Sequence, residues 1–135
     1  MEKPSSLDRI MNNHRSSQNK AILKKIVAIF NTGDLSEADA IFSPNYIDHQ
    51  KPLEIHMDGP DESKQIVRNV RGSVQKLEVT IKDLIGEENK VAGRLHWQII
   101  DSTGKEINRE TLEILCFANG QVVEHWGAEA WRRET

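Results

Sequence analysis

Cysteine is all but absent from this sequence: Cys116 is the only one among 135 residues. An intramolecular disulfide is excluded, and so are Cys-x-x-Cys metal and redox motifs. Long hydrophobic runs are missing as well. The longest, such as Ile26 to Phe30, fall far short of the roughly 20 apolar residues that cross a bilayer. The opening stretch MEKPSSLDRIMNNHRSSQ holds no apolar segment of signal-peptide length. The expectation is a cytoplasmic protein with no membrane contact. Positive charge is not in excess, since 18 Lys and Arg face 21 Asp and Glu, for a net charge of -3. Lys24-Lys25 and Arg132-Arg133 are isolated basic pairs, not the stripe that a phosphate backbone requires, so no nucleic-acid partner is expected. There is no glycine-rich phosphate loop, no dinucleotide fingerprint and no Gly-x-Ser-x-Gly elbow. Five histidines are present, but no His-x-His or His-x-x-x-His spacing occurs. A metal would need a site assembled in space from His49, His96 and a glutamate, and the expectation is no metal and no organic cofactor.

What is present is one domain's worth of chain, 37% hydrophobic and 29% charged, which is ordinary for a soluble globular protein. Residues 1–18 are polar and poorly patterned, with Leu7, Ile10 and Met11 enough for one docking helical turn or a frayed terminus. A single domain over 19–135 follows. Ile22, Leu23, Ile26, Val27, Ile29 and Phe30 give a first helix a broad apolar face, which Gly33 ends. Ser36 offers an N-cap for a short second helix over Glu37 to Phe42, and Tyr46 to His49 reads as a short extended piece. Gly59-Pro60-Asp61-Glu62 opens a third helix, because proline suits the first helical position and two acids suit the positive end of the dipole. From Leu77 the period changes to two, with one slip between Ile81 and Leu84. Strands are expected over Val91 to Ile100, Glu106 to Phe117 and Val122 to Trp131, the last two joined by the hairpin signal Asn119-Gly120. This order predicts an α+β fold, a cone-shaped barrel in which three helices pack in a curved mixed or antiparallel sheet.

The strand VAGRLHWQII has two distinct faces. Val91, Gly93, Leu95, Trp97 and Ile99 share one, while Ala92, Arg94, His96, Gln98 and Ile100 share the other. One reading is an apolar face inward and a polar face in water. The other places Arg94 and His96 side by side in a ligand cavity, with fixed positive charge from one and proton transfer near neutral pH from the other. On the next strand Glu110 or Glu113 could be a catalytic carboxylate. On the last strand, alternation puts Val123, His125 and Glu129 on one face and Val122, Glu124, Trp126, Ala128 and Ala130 on the other. Trp126 beside two alanines reads as an aromatic wall next to a space, or as core filling. His125 with Glu129 reads as a possible surface pair.

Certain runs of residues, in this order, carry a resemblance: Tyr46-Ile47-Asp48-His49-Gln50, then Gly59-Pro60, then Val79 to Gly86, then Asn89 to Arg94, and finally Asn119-Gly120-Gln121-Val122-Val123-Glu124-His125-Trp126. From about Asn19 to Trp126 the chain resembles the SnoaL-like polyketide cyclase family, within the nuclear transport factor 2-like superfamily. The resemblance implies a curved sheet wrapped round helices, a homodimer formed through the outer face of the sheet, and a pocket on its inner face. By analogy Arg94, His96 and Trp126 would line that pocket. In the related limonene epoxide hydrolases an Arg-x-Asp pair stands where Arg94-x-His96 stands here. The cyclases place a catalytic aspartate four residues after this tryptophan and the epoxide hydrolases place one about two after, where this chain has Ala130 and Ala128. Glu129 is one residue off and is expected on the opposite face. The expected protein thus holds a small, partly apolar, oxygenated molecule. As an enzyme it would use His96 as acid and base and Arg94 for enolate charge, while Tyr46, His49, Glu110 and Trp126 bind the substrate. The alternatives are a noncatalytic binding protein and a dimeric interaction module.

Overall fold

The computed structural model describes residues 5–51 and 55–130. The chain runs α1 (Ser6–Thr32), α2 (Ala38–Ile41), β1 (Phe42–Asp48), α3 (Gly59–Gly72), β2 (Val74–Glu87), β3 (Lys90–Asp101), β4 (Glu106–Ala118) and β5 (Gln121–Glu129). The strands form one sheet in the order β1-β5-β4-β3-β2. β2 to β5 are a meander of antiparallel neighbours, and β1 adds to β5 in parallel, so the sheet is mixed. Three helices and a five-stranded mixed sheet make the expected α+β architecture. No helix among the described residues is long and apolar enough to cross a membrane.

The helix whose apolar pattern sharpens at Asn19 begins at Ser6. Ser5 and Asp8 form a reciprocal capping box, which supplies partners for the otherwise orphaned amides of the first turn. Leu7, Ile10 and Met11 stand exposed on this extension, and burial starts only at Ser16 and Asn19. The second helix is a single turn whose N-cap is Glu37 and not Ser36, with no side-chain cap; the Ser36 N–H donates to Asp34 at 3.0 Å, and Phe42, expected at the end of the helix, belongs to β1. The third helix starts at Gly59 with Pro60 in its first turn, as the sequence indicates. Asn119 and Gly120 both take positive φ, 52° and 76°, as a two-residue hairpin needs. Trp131, expected in the last strand, lies outside the described residues.

Two polar contacts fix α1 to the rest of the fold. The Asn31 amide pairs with the edge strand β2 like a strand residue: it donates to the Val79 carbonyl at 3.0 Å and accepts from the Val79 amide at 2.7 Å. Arg71 of α3 donates to the carbonyls of Phe30 and Asn31 at 2.8 and 2.9 Å, which satisfies the open end of α1. Between the helices and the concave face lies the core, in which Leu23, Phe42, Val67, Val91, Leu115 and Val122 are buried.

Register shifts set which side chains point inward. In β2 the shift between Ile81 and Asp83 lets Lys82 bulge, so Ile81 and Leu84 both meet inner-face partners on β3. In β5 Val122 pairs with Phe117 but Glu124 pairs with Cys116, which leaves Val123 as the extra residue. Val122 is consequently fully buried, whereas Trp126, expected on the same face by strict alternation, is exposed.

Candidate functional site

The helices do not fill the concave side completely. A cavity of about 300 Å³ remains, walled by α1, α3 and the inner faces of β1, β3, β4 and β5. Most of its lining is hydrocarbon, from residues such as Leu23, Phe30, Val67 and Leu95. Trp97 also lines it, with its indole N–H donated to the Thr111 hydroxyl at 2.8 Å. Phe30 meets the Trp97 ring edge-on at 5.1 Å.

Polar side chains converge at one end. The Val123 bulge turns His125 into the cavity, beside Glu113 of β4 and Asp48 of β1. His125 Nδ1 lies 2.9 Å from Asp48 Oδ1, and Nε2 lies 2.6 Å from Glu113 Oε2. All three side chains are largely buried. Burial alone would push the imidazole down. The hydrogen bonds and charges of Asp48 and Glu113 outweigh it and raise its pKa to about 9. Burial also opposes ionisation of Asp48, but the hydrogen bond and charge of His125, then the backbone N–H of Gln50, which donates to Asp48 Oδ1 at 2.8 Å, hold it below the usual carboxylate range. The cluster is therefore an imidazolium clasped between two carboxylates, with both ring nitrogens engaged. Among the described residues, Oε1 of Glu113 carries no hydrogen bond.

Tyr46 stands next to this cluster, buried against Phe42, and its phenol is pushed above its ordinary pKa by burial and then by the charge of Asp48. It is a hydrogen-bond donor at any physiological pH. Gly127 supplies the remaining room. A Cβ there would collide with the side-chain oxygens of Gln50 and Glu113, so only glycine lets both lie across the strand.

The residues expected to form the site divide between the two faces. Tyr46 lines the cavity. Arg94, His96, Glu110 and Trp126 lie on the convex side, with His49 beside them. Arg94 and His96 do project side by side, but away from the cavity: Leu95 and Trp97 take the inner positions of β3, so the strand buries its apolar face. Arg94 holds Asp83 at 2.6 Å and Glu110 at 2.5 Å, and His96 Nε2 lies 2.9 Å from Asn108 Oδ1. His49 stacks on Trp126 with ring centroids 4.8 Å apart and an 8° interplanar angle, and also meets Glu124 at 2.8 Å. Trp126, which the resemblance implies would line the pocket, is turned outward by the Val123 bulge, which separates it from Val122. Ala128 pairs with Leu112 on the convex side, whereas Glu129 is on the concave side, where it meets Arg109 at 2.7 Å.

Sequence reasoning named Glu113 as a possible carboxylate, but did not assemble it with His125 and Asp48. The available signal was Tyr46-Ile47-Asp48, whose alternation puts Tyr46 and Asp48 on one face. What the sequence does not display is the pairing of β1 with β5, which brings Asp48 opposite His125. Among the described residues no group of His, Cys, Asp and Glu side chains is arranged to hold a metal ion.

The family model described as SnoaL-like polyketide cyclase matches residues 20–129. No curated protein matches the sequence. Solved structures share the fold. TsrD from Streptomyces laurentii aligns with a TM-score of 0.73 at 20% identity, over 84% of this chain and 88% of that one. A Bacillus cereus protein with the provisional name polyketide cyclase gives 0.72 at 25% identity, over 80% and 71%. An LEH-like epoxide hydrolase from M. tuberculosis gives 0.68 at 11% identity, over 85% and 84%.

Proposed function

Since this chain belongs to the SnoaL-like polyketide cyclase family, we propose that it catalyses proton transfer next to a carbonyl of a small, partly apolar molecule held in the cavity. The observation that carries this reading is the His125–Glu113–Asp48 cluster at the polar end of an otherwise hydrocarbon chamber. His125 has no free ring nitrogen, so it cannot be the base. That role falls to Glu113, whose Oε1 is open while Oε2 is fixed by the imidazolium. Glu113 takes a proton from the carbon beside the carbonyl. The electron pair moves onto the carbonyl oxygen, and the phenol of Tyr46 with the side-chain amide of Gln50, both of which line the cavity, stabilises the enolate. The enolate then either takes the proton back at another carbon or on its other face, which is isomerisation, or attacks a second carbonyl of the same molecule, whose oxygen takes the proton back from Glu113 as the ring closes. Every step uses side chains alone. Arg94 and His96 have no part in it, because they face away from the chamber.

A noncatalytic binding protein of the same fold is the second reading. The observation favouring it is that both nitrogens of His125 are saturated, a resting arrangement equally suited to a rigid wall. Exchange of the hydrogens beside the carbonyl of acetophenone, followed by NMR in heavy water, separates the two. The enzyme reading expects exchange faster than in buffer and its loss in Glu113→Gln. Exchange at the buffer rate, with the ketone nevertheless bound, leaves the binding protein.

The convex face also bears on assembly. Ile85, Ala92, Ile114 and Trp126 lie in register as one row across four strands, all exposed, with Leu112 in the adjoining row. An apolar row of this kind on a sheet is suited to a second copy of itself. The homodimer is therefore part of this proposal.

A further inference from the structure

The charges around the cavity narrow what it can hold. Two of the described lining residues are cationic, Lys64 and His125, and both are already paired. Lys64 Nζ lies 3.0 Å from Asp39 and 3.9 Å from Asp61, at the chamber's edge. His125 is taken up by Asp48 and Glu113. Arg94, the strong cation of β3, is on the other side of the sheet. What remains at the polar end is two carboxylates with the neutral groups of Tyr46 and Gln50.

An entering carboxylate or phosphate would shed its water and meet lone pairs, with no unpaired cation to replace the hydration. A carbonyl or hydroxyl needs one or two hydrogen bonds, which Tyr46 and Gln50 can supply. The rest of such a molecule must be hydrocarbon to match the wall. Size sets a second limit. At about 300 Å³ the chamber stands at the small end of ligand pockets, which run to roughly 1,000 Å³.

We infer that the cavity selects an uncharged molecule of one or two rings whose oxygens are carbonyl or hydroxyl groups, and rejects carboxylates and phosphates of the same shape. This rests on the proposed function only in taking the cavity as the site; charge selection holds whether or not chemistry follows.

Acetophenone and benzoate test it, since one carries a methyl group where the other carries an oxyanion. The full chain is titrated with each at neutral pH, and binding is read from the amide resonances of Trp97, Thr111 and His125. Acetophenone is expected to bind at least about tenfold more tightly. Glu113→Gln should narrow that gap by strengthening benzoate. Benzoate binding as tightly as acetophenone overturns the inference, and so does failure of both to move these resonances. Discrimination without hydrogen exchange on the ketone upholds the inference while removing the catalytic reading. Exchange on the ketone with benzoate competing equally does the reverse.

Discussion

Glu113 Oε2 reaches His125 Nε2 at 2.6 Å, although the register pairs Glu113 with Gly127 and His125 with Leu115. The contact is thus a diagonal one, and the carboxylate crosses the space that a side chain at Gly127 would occupy. An imidazolium at the centre of the site depends on a glycine two residues away. That dependence gives a direct prediction. Gly127→Ala should displace Gln50 and Glu113 and cost about 1–3 kcal/mol through overpacking, with binding of acetophenone lost. Denaturant unfolding and ligand titration check it, and an alanine variant with intact binding would show that the glycine is dispensable.

The pKa of His125 carries a second prediction. In the folded chain it stands at about 9, against 6.5 for an ordinary histidine. The folded state therefore holds the proton more tightly. The stabilisation is fully present below pH 6.5, declines above it and is lost as pH rises through 9. Wild-type stability should fall across that window by on the order of 3 kcal/mol, and His125→Gln should flatten the fall. Asp48 works from the other side, since its lowered pKa adds stability above its unfolded value of 3.8 that is lost as pH drops through the folded value. Unfolding midpoints measured from acid to alkaline pH, with the His125 ring titrated by NMR, decide the matter.

Asn31 tests how α1 is anchored. Its amide pairs with both backbone groups of Val79 on the edge strand. Asn31→Ala leaves those groups without partners and should cost about 1–3 kcal/mol. Hydrogen exchange should quicken at Val79 more than in β4. A variant as stable as wild type would mean that apolar packing alone docks the helix.

The apolar row across the convex face predicts assembly. Wild type should sediment as a dimer, and Ile114→Lys as a monomer with its fold intact, because Ile114 is exposed and its loss opens no cavity. Sedimentation analysis distinguishes these, and a wild-type monomer would remove the homodimer from the account.

Element order, the Asn119-Gly120 hairpin and the slip in β2 were legible in the sequence because they depend on local periodicity and turn chemistry. The β2 slip shows as an extra residue between Ile81 and Leu84. The Val123 bulge does not show, since Gln121-Val122-Val123-Glu124 reads as an unbroken strand and a single added residue reverses every later side chain. Strict alternation put Trp126 with Val122, and the bulge separates them. The polar face of β3 was read both ways, and the apolar-inward reading is the one the structure adopts. The Ser5–Asp8 capping box explains why α1 starts earlier than its apolar stripe. The parallel pairing of β1 with β5 joins residues some 75 positions apart, as in the His49–Glu124 contact, and no local pattern encodes it.

Two histidines give the most direct test of where the chemistry lies. His125 is at the polar end of the cavity and His96 is on the opposite face of the sheet. Hydrogen exchange beside the carbonyl of acetophenone is measured for wild type, His125→Asn and His96→Asn under identical conditions. Exchange should collapse in the His125 variant, because Glu113 loses the group that fixes it, and should be unchanged in the His96 variant. Loss of exchange in His96→Asn with full activity in His125→Asn would place the site on the convex face and contradict the assignment made here.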